Sequence, residues 1–441
     1  MTKRHGYGVL AAVAALVVLC STAIFLLVTG TGRGKDEDTV TAAPPAARGS
    51  AAPASSGNWV GTWSAPPSGA EPGTLIDGLA GRSVRNVVHT SVAGEATRVT
   101  LSNLYGQQPL SITSATVALA AAPGSPTAAA GTLRRLTFGG ATTVVIPAGG
   151  QRVSDAVRMS VPGDADLLVT TYSPLASGPV TFHAQARQTS YLAEGDRTRD
   201  PDGAAYTAQS SYWRYVTAVD VLSRRLAGTL VTLGDSLTDG LRSTSGANHR
   251  WPDRLARRLA NEQGAPRYSV VNAGISGNRV LLAGAGRPAD NPAALDRFDR
   301  DVLGRSGAKA VFIDLGINDI LRAPQQYDAR RIVDGLRELT ARAHAKGLHV
   351  VGATLMPFEG HRGYTVRGEQ TRQAVNAEIR SGRVFDAYAD FDRGLRDQAH
   401  PTRLAAAYDS GDHLHLNDAG YLRMAETVNV ADLRGAAPAQ L

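Results

Sequence analysis

Residues 228–240 read GTLVTLGDSLTDG: a short run of apolar and β-branched residues, then Gly234-Asp235-Ser236-Leu237-Thr238-Asp239-Gly240. Such a run, bounded by glycine and followed by a helical pattern, reads as a buried strand opening an α/β unit. A serine at a strand-to-helix turn has its hydroxyl exposed. Its backbone N–H lies near the positive end of a helix, which suits a developing oxyanion. The heptapeptide alone fits equally well a Ser236 that merely caps the helix, a position serine favours. It is not the G-x-S-x-G nucleophile elbow, because Thr238 stands two residues after Ser236.

Downstream the same alternation repeats. The strand-like runs YSVVNAG (268–274), AKAVFIDLG (308–316), LHVVGATLM (348–356) and RVFDAYA (383–389) are separated by helical stretches. Among the latter are RWPDRLARRLANEQ (250–263), ARRIVDGLRELTARAHAKG (329–347) and TRQAVNAEIRS (371–381). Five apolar strands separated by helices imply an α/β fold, a parallel sheet with helices on both faces. Active sites of such sheets form outside the carboxyl ends of the strands. The second strand ends in Asn272-Ala273-Gly274-Ile275-Ser276-Gly277-Asn278, where Gly277 offers an unobstructed N–H or is simply a turn glycine. The third ends in Gly316-Ile317-Asn318-Asp319, where Asn318 presents an amide donor or only shapes a turn. Near the C-terminus stands Asp412-His413-Leu414-His415. A carboxylate three residues before a histidine can fix its tautomer and leave the other ring nitrogen to accept a proton from a hydroxyl.

Upstream, residues 58–225 have a different texture. RNVVHTSV (85–92), ATRVTLSNL (96–104), ITSATVALA (112–120), TTVVIPAG (142–149), RVSDAVRMSV (152–161) and DLLVTTYS (166–173) alternate at period two. Gly, Pro and Asp separate them, so the region reads as an all-β sandwich or jelly-roll. Trp59 and Trp63, four apart, are expected on one face of an extended segment, as packing rather than as a sugar platform.

Taken together, the four C-terminal blocks resemble the SGNH hydrolase superfamily, the GDSL esterases and lipases, over about Leu226 to Leu433. The resemblance implies a flavodoxin-like three-layer domain, 226–433, with a short tail at 434–441. It implies Ser236 as nucleophile, His415 as general base and Asp412 as its orienting partner. The N–H groups of Ser236 and Gly277 and the Asn318 side chain would form the oxyanion hole. Many members carry a second glycine where this chain has Ile317. The β-region, through Asn58–Trp63 and Arg187-Gln188-Thr189-Ser190-Tyr191, is similar to one that precedes the hydrolase in exported actinobacterial-type members.

Two rival readings concern the same C-terminal block. His413, one residue after Asp412, could itself be the base, although the three-residue spacing favours His415. A metal cluster of His400, Asp409, Asp412, His413 and His415 lacks a second group with ordinary ligand spacing. No cofactor or metal is required by the chemistry inferred.

The rest of the chain bounds partners and location. The 441 residues carry a net charge of +7, with 43% hydrophobic and 19% charged residues, which excludes wholesale disorder. No compact basic run or aromatic platform points to nucleic acid. Residues 1–7 carry Lys3, Arg4 and His5, and 8–28 are apolar and long enough to span a bilayer. That segment reads as a membrane anchor or a long cleavable signal peptide, with everything after it extracytoplasmic. The single cysteine, Cys20, lies inside it and follows Leu19, which is too large for a lipoprotein cleavage site. Residues 29–57, including TAAPPAARGSAAPASSG, read as a tether. The expected partner is a small-molecule, lipid or acetylated-glycan ester. The alternative from another class is a tethered carbohydrate-binding protein with a vestigial hydrolase.

Overall fold

The computed structural model describes residues 57–284 and 291–435. The apolar segment 8–28, the N-terminal residues before it, most of the tether and residues 436–441 lie outside them. Among the described residues no helix is long and apolar enough to cross a membrane.

The first half is a β-sandwich. Its main strands are β1 (Asn58–Ser64), β2 (Arg82–His89), β3 (Gly94–Ser102), β4 (Ser114–Leu119), β5 (Val157–Val161), β6 (Asp166–Ser173), β7 (Ser190–Glu194) and β8 (Val216–Ser223). One antiparallel sheet runs β1-β8-β3-β5, and the other runs β7-β2-β6-β4 with short strands at both ends. The period-two alternation explains the packing. Leu167 and Val169 of β6 face Val99, Leu101, Val219 and Val221 across the sandwich, whereas Leu168 faces outward against Val87, Tyr191 and Tyr206. Each such buried aliphatic contributes about 1.5–3 kcal/mol relative to exposure.

Trp59 and Trp63 do not share a face. The β1–β8 register shifts between Gly61 and Trp63, a bulge that turns the strand over. Trp63 therefore enters the sandwich core, edge-on to Trp213 at 4.9 Å, while Trp59 lies outside under the Arg98 guanidinium at 4.5 Å. A regular four-residue spacing could not reveal that extra residue.

The second half is a parallel sheet of β9 (Gly228–Gly234), β10 (Tyr268–Gly274), β11 (Ala308–Asp314), β12 (His349–Ala353) and β13 (Ala387–Ala389). The order is β10-β9-β11-β12-β13, the doubly wound flavodoxin-like arrangement, with all pairings parallel. Its flanking helices include α1 (Ser236–Asp239), α2 (Trp251–Asn261), α3 (Ile317–Leu321), α4 (Ala329–His344), α5 (Val366–Arg380) and α6 (Asp418–Thr427). Val231, Leu233, Val311 and Ile313 pack against Ile332, Val333, Leu336 and Leu339 of α4. The alternate residues Leu230, Ala310 and Phe312 pack on the other face against Trp251 and Leu255 of α2 and Tyr421 and Met424 of α6. The expected strand 383–389 pairs only through Ala387–Ala389. Val384 and Phe385 instead turn into the helix-side core, Phe385 lying where a side chain on Gly352 would be.

Candidate active site

Sheet register brings three loops to one rim. Gly234, the last residue of β9, pairs with Gly274 on β10 and with Asp314 on β11. The chain then needs two residues to reach Ser236, three to reach Gly277 and four to reach Asn318. These ends flank the position where the strand order reverses, the usual crevice for ligands. Gly234 has no room for a side chain, because a Cβ there would overlap Thr238 Oγ1. Arg297, fully buried, ties the rim together by donating to Gly234 O at 3.0 Å, Ala273 O at 2.8 Å and Asn278 Oδ1 at 3.0 Å.

Ser236 is not the helix cap. Asp235 holds that position, its Oδ1 accepting from Leu237 N at 3.0 Å, and Ser236 is the first residue of α1. The serine hydroxyl is thus free of capping duty and meets His415 Nε2 at 2.8 Å. His415 Nδ1 lies 2.9 Å from Asp412 Oδ2, and Asp412 Oδ1 accepts from His415 N at 2.8 Å. Burial alone would raise the Asp412 carboxyl, but the hydrogen bonds from His415 outweigh it and hold the group well below the usual carboxylate range. With a carboxylate on Nδ1, that nitrogen carries the hydrogen, and the Nε2 lone pair faces the serine Oγ–H. The arrangement can move a proton off a nucleophilic oxygen.

Asn318 lies on α3, with its amide held at both ends. Nδ2 donates to Asp235 Oδ2 at 2.9 Å, and Arg322 Nε donates to Asn318 Oδ1 at 2.9 Å. Arg322 thereby settles which end of the carboxamide is the donor. Gly277 has φ +80°, and a Cβ there would stand 2.8 Å from Arg322 Nη2, so this position needs glycine for both conformation and room. Contacts therefore run from Gly277 through Arg322 and Asn318 to Asp235, the residue before Ser236. Ile317, in place of the second glycine, packs with Phe358 and Leu414, joining the third block to the His415 segment.

Behind the rim lie three buried acids. Burial, and then the charge of Asp314, push Asp235 upward; burial likewise raises Asp314, opposed by a hydrogen bond from Thr238 Oγ1 at 3.1 Å. Burial pushes Asp319 up to about 6, although its carboxylate accepts from Val280 N at 2.8 Å and Leu281 N at 3.0 Å. The roles of Asp235 and Arg322 were not evident in the sequence. Arg322 follows Asn318 by four residues, one helical turn, and that spacing was the only available signal.

The neighbouring histidine has another partner. His413 takes a left-handed φ of +62°, lies half exposed, and pairs through Nδ1 with Asp409 Oδ2 at 2.6 Å. His400 approaches Asp397 at 3.8 Å. Asp409 and Asp412 thus serve different histidines, and among the described residues no three His, Cys, Asp or Glu side chains converge as metal ligands.

Residues 232–423 match the GDSL-like Lipase/Acylhydrolase family. No curated protein matches the chain. Solved structures similar to it include a GDSL-like lipase from Bacteroides thetaiotaomicron, 20% identical, covering 47% of this chain and 88% of that one with a TM-score of 0.34. The psychrotrophic esterase EstA from Pseudoalteromonas sp. is 19% identical, with 45% and 93% covered and a TM-score of 0.34. LAE5, an alpha/beta hydrolase enzyme from the metagenome of Lake Arreo, Spain, is 23% identical, with 48% and 98% covered and a TM-score of 0.35.

Proposed function

We propose that this chain, which carries a GDSL-like lipase/acylhydrolase domain over residues 232–423, is an exported carboxylic ester hydrolase, a serine esterase working through an acyl-enzyme. His415 takes the Ser236 proton as Oγ attacks the ester carbonyl. The N–H groups of Ser236 and Gly277 and the Asn318 amide stabilise the tetrahedral oxyanion. His415 then protonates the leaving alcohol, and water repeats the cycle on the acyl group. The observation that carries this reading is the hydrogen-bonded line from Ser236 through His415 to Asp412, at 2.8 and 2.9 Å. Export rests on the positively charged and then apolar N-terminal sequence. The substrate class is an ester of a small molecule, a lipid or an acetylated glycan, which a panel of acyl-chain lengths and acetylated glycans would narrow.

The test is Ser236→Ala assayed on a short-chain aryl ester. A folded variant whose kcat falls by about 10⁴-fold or more supports the assignment. Activity within about tenfold of wild type, in a preparation free of other esterases, overturns it.

A further inference from the structure

A histidine of the sandwich reaches the helix that carries the nucleophile. His183 closes the short strand Thr181–His183, which pairs with Gly69–Ala70 and Trp213–Arg214. The ring is buried, 3% exposed, and tilts over Trp213 with 5.5 Å between centroids. Nδ1 lies 2.8 Å from Pro66 O and Nε2 lies 2.9 Å from Asp239 Oδ1. A carbonyl can only accept, so Nδ1 carries a hydrogen. Nε2 faces a carboxylate oxygen within hydrogen-bond distance. Out of water, such a bond is electrostatically stronger than in solvent.

Asp239 is the last residue of α1, three after Ser236, and is itself buried. Its second oxygen accepts from Ser276 N at 3.0 Å and from Ser276 Oγ at 2.6 Å. Ser276 immediately precedes Gly277. A single carboxylate thus joins the nucleophile helix, the loop that carries Gly277, and the sandwich.

We propose that His183 is a positioning residue for ester hydrolysis: through Asp239 and Ser276, the sandwich holds the Gly277 N–H where the tetrahedral oxyanion needs it. The inference rests on the oxyanion role proposed above for Gly277, and it gives the β-region a part in the reaction. An oxyanion donor works only if it is already in place, and a misplacement of about 1 Å can cost about 10²-fold in rate. Without His183, the buried Asp239 carboxylate loses one donor and turns toward others, which releases the Ser276–Gly277 loop. Because the oxyanion exists in the transition state and not in the bound ester, the loss falls on kcat.

The experiment compares full-length His183→Ala, His183→Gln, Ser276→Ala and the His183→Ala/Ser276→Ala double variant on a short-chain aryl ester, with thermal midpoints measured alongside. His183→Ala is expected to lose about 10–100-fold in kcat with KM within about twofold. His183→Gln, whose amide can donate to Asp239, recovers most of that loss. In the double variant the two effects are less than additive, as for residues acting through one network. A folded His183→Ala enzyme with wild-type kcat, a loss confined to KM, or strict additivity would overturn the proposal. Should His183→Ala fail to fold, Ser276→Ala decides: a fall of about tenfold in kcat at constant KM supports it, and an unchanged kcat overturns it. The underlying reading fails separately. An active Ser236→Ala enzyme removes the acyl-enzyme mechanism, whereas an inactive Ser236→Ala enzyme beside a wild-type kcat in His183→Ala removes only the role of His183.

Discussion

Asn318 is the residue whose loss separates chemistry from architecture. Its amide is clamped by Asp235 and Arg322, so Asn318→Ala removes a pre-placed donor, and a thermal midpoint on the same sample tells that loss from a loss of fold. Removing one oxyanion donor typically costs about 10²–10³ in kcat, and that loss is expected here with KM little changed. A stably folded variant with an unchanged single-turnover acylation rate would take Asn318 out of the oxyanion hole. The two histidines of the fourth block provide a second comparison. His415→Ala should lower kcat by about 10⁴-fold or more. His413→Ala, whose partner is Asp409, should change it by less than about tenfold; equal losses in the two variants would contradict the assignment. Ser236 and the Asp412–His415 pair could be singled out from local motifs, and the fold brings Ser236 Oγ to 2.8 Å from His415 Nε2 although 179 positions separate them. Arg322, Asp235 and His183 could not be singled out, because their roles exist only once separate segments meet.

Among the elements, the central strands set the site by ending in register. Their alternation and glycine boundaries made them legible, and the expected parallel sheet with helices on both faces is present. The bulge in β1 and the shortening of β13 were not legible, since each depends on side chains packed from elsewhere in the fold. The strand ends also carry a pH signature. Asp235 and Asp314 are held above the ordinary carboxylate range by burial, and Asp235 also by the charge of Asp314. A raised acid binds its proton more tightly in the folded state, so its contribution is complete below the ordinary carboxylate range and is lost as pH rises through the raised value. Asp319 and His89, also raised, act in the same direction. Asp412 is shifted the other way, and its contribution is already complete above pH 5. The thermal midpoint should therefore fall between pH 6 and 8. Asp314→Asn should flatten that fall by about 2 °C or more, which a calorimetric pH series checks. A midpoint that rises across this interval, or an unaltered slope in the variant, would contradict the account.

For the whole molecule, the division into an antiparallel sandwich and a parallel α/β sheet was visible in the change of texture near Leu226. The contacts between them were not. Ser64 Oγ donates to Asn272 O at 2.7 Å, Gln188 to Asn248 at 2.6 Å and Arg98 to Ser306 at 2.9 Å, all between residues more than fifty positions apart. Local patterns carry no record of such pairings. Export, proposed from the N-terminal sequence, predicts that protease added to intact cells releases an active fragment by cutting before Asn58. Activity that stays protected until the membrane is permeabilised would contradict it. The proposed mechanism requires that Ser236 become acylated during turnover. Rapid acid quench of the full-length enzyme with a short-chain aryl ester, followed by peptide mass spectrometry, tests it most directly. An acyl adduct is expected on the peptide containing Ser236 within the first turnover, longer-lived in His415→Ala if any forms, and absent in Ser236→Ala. Rapid hydrolysis by wild-type enzyme with no adduct on Ser236, or with the adduct on another residue, would contradict it.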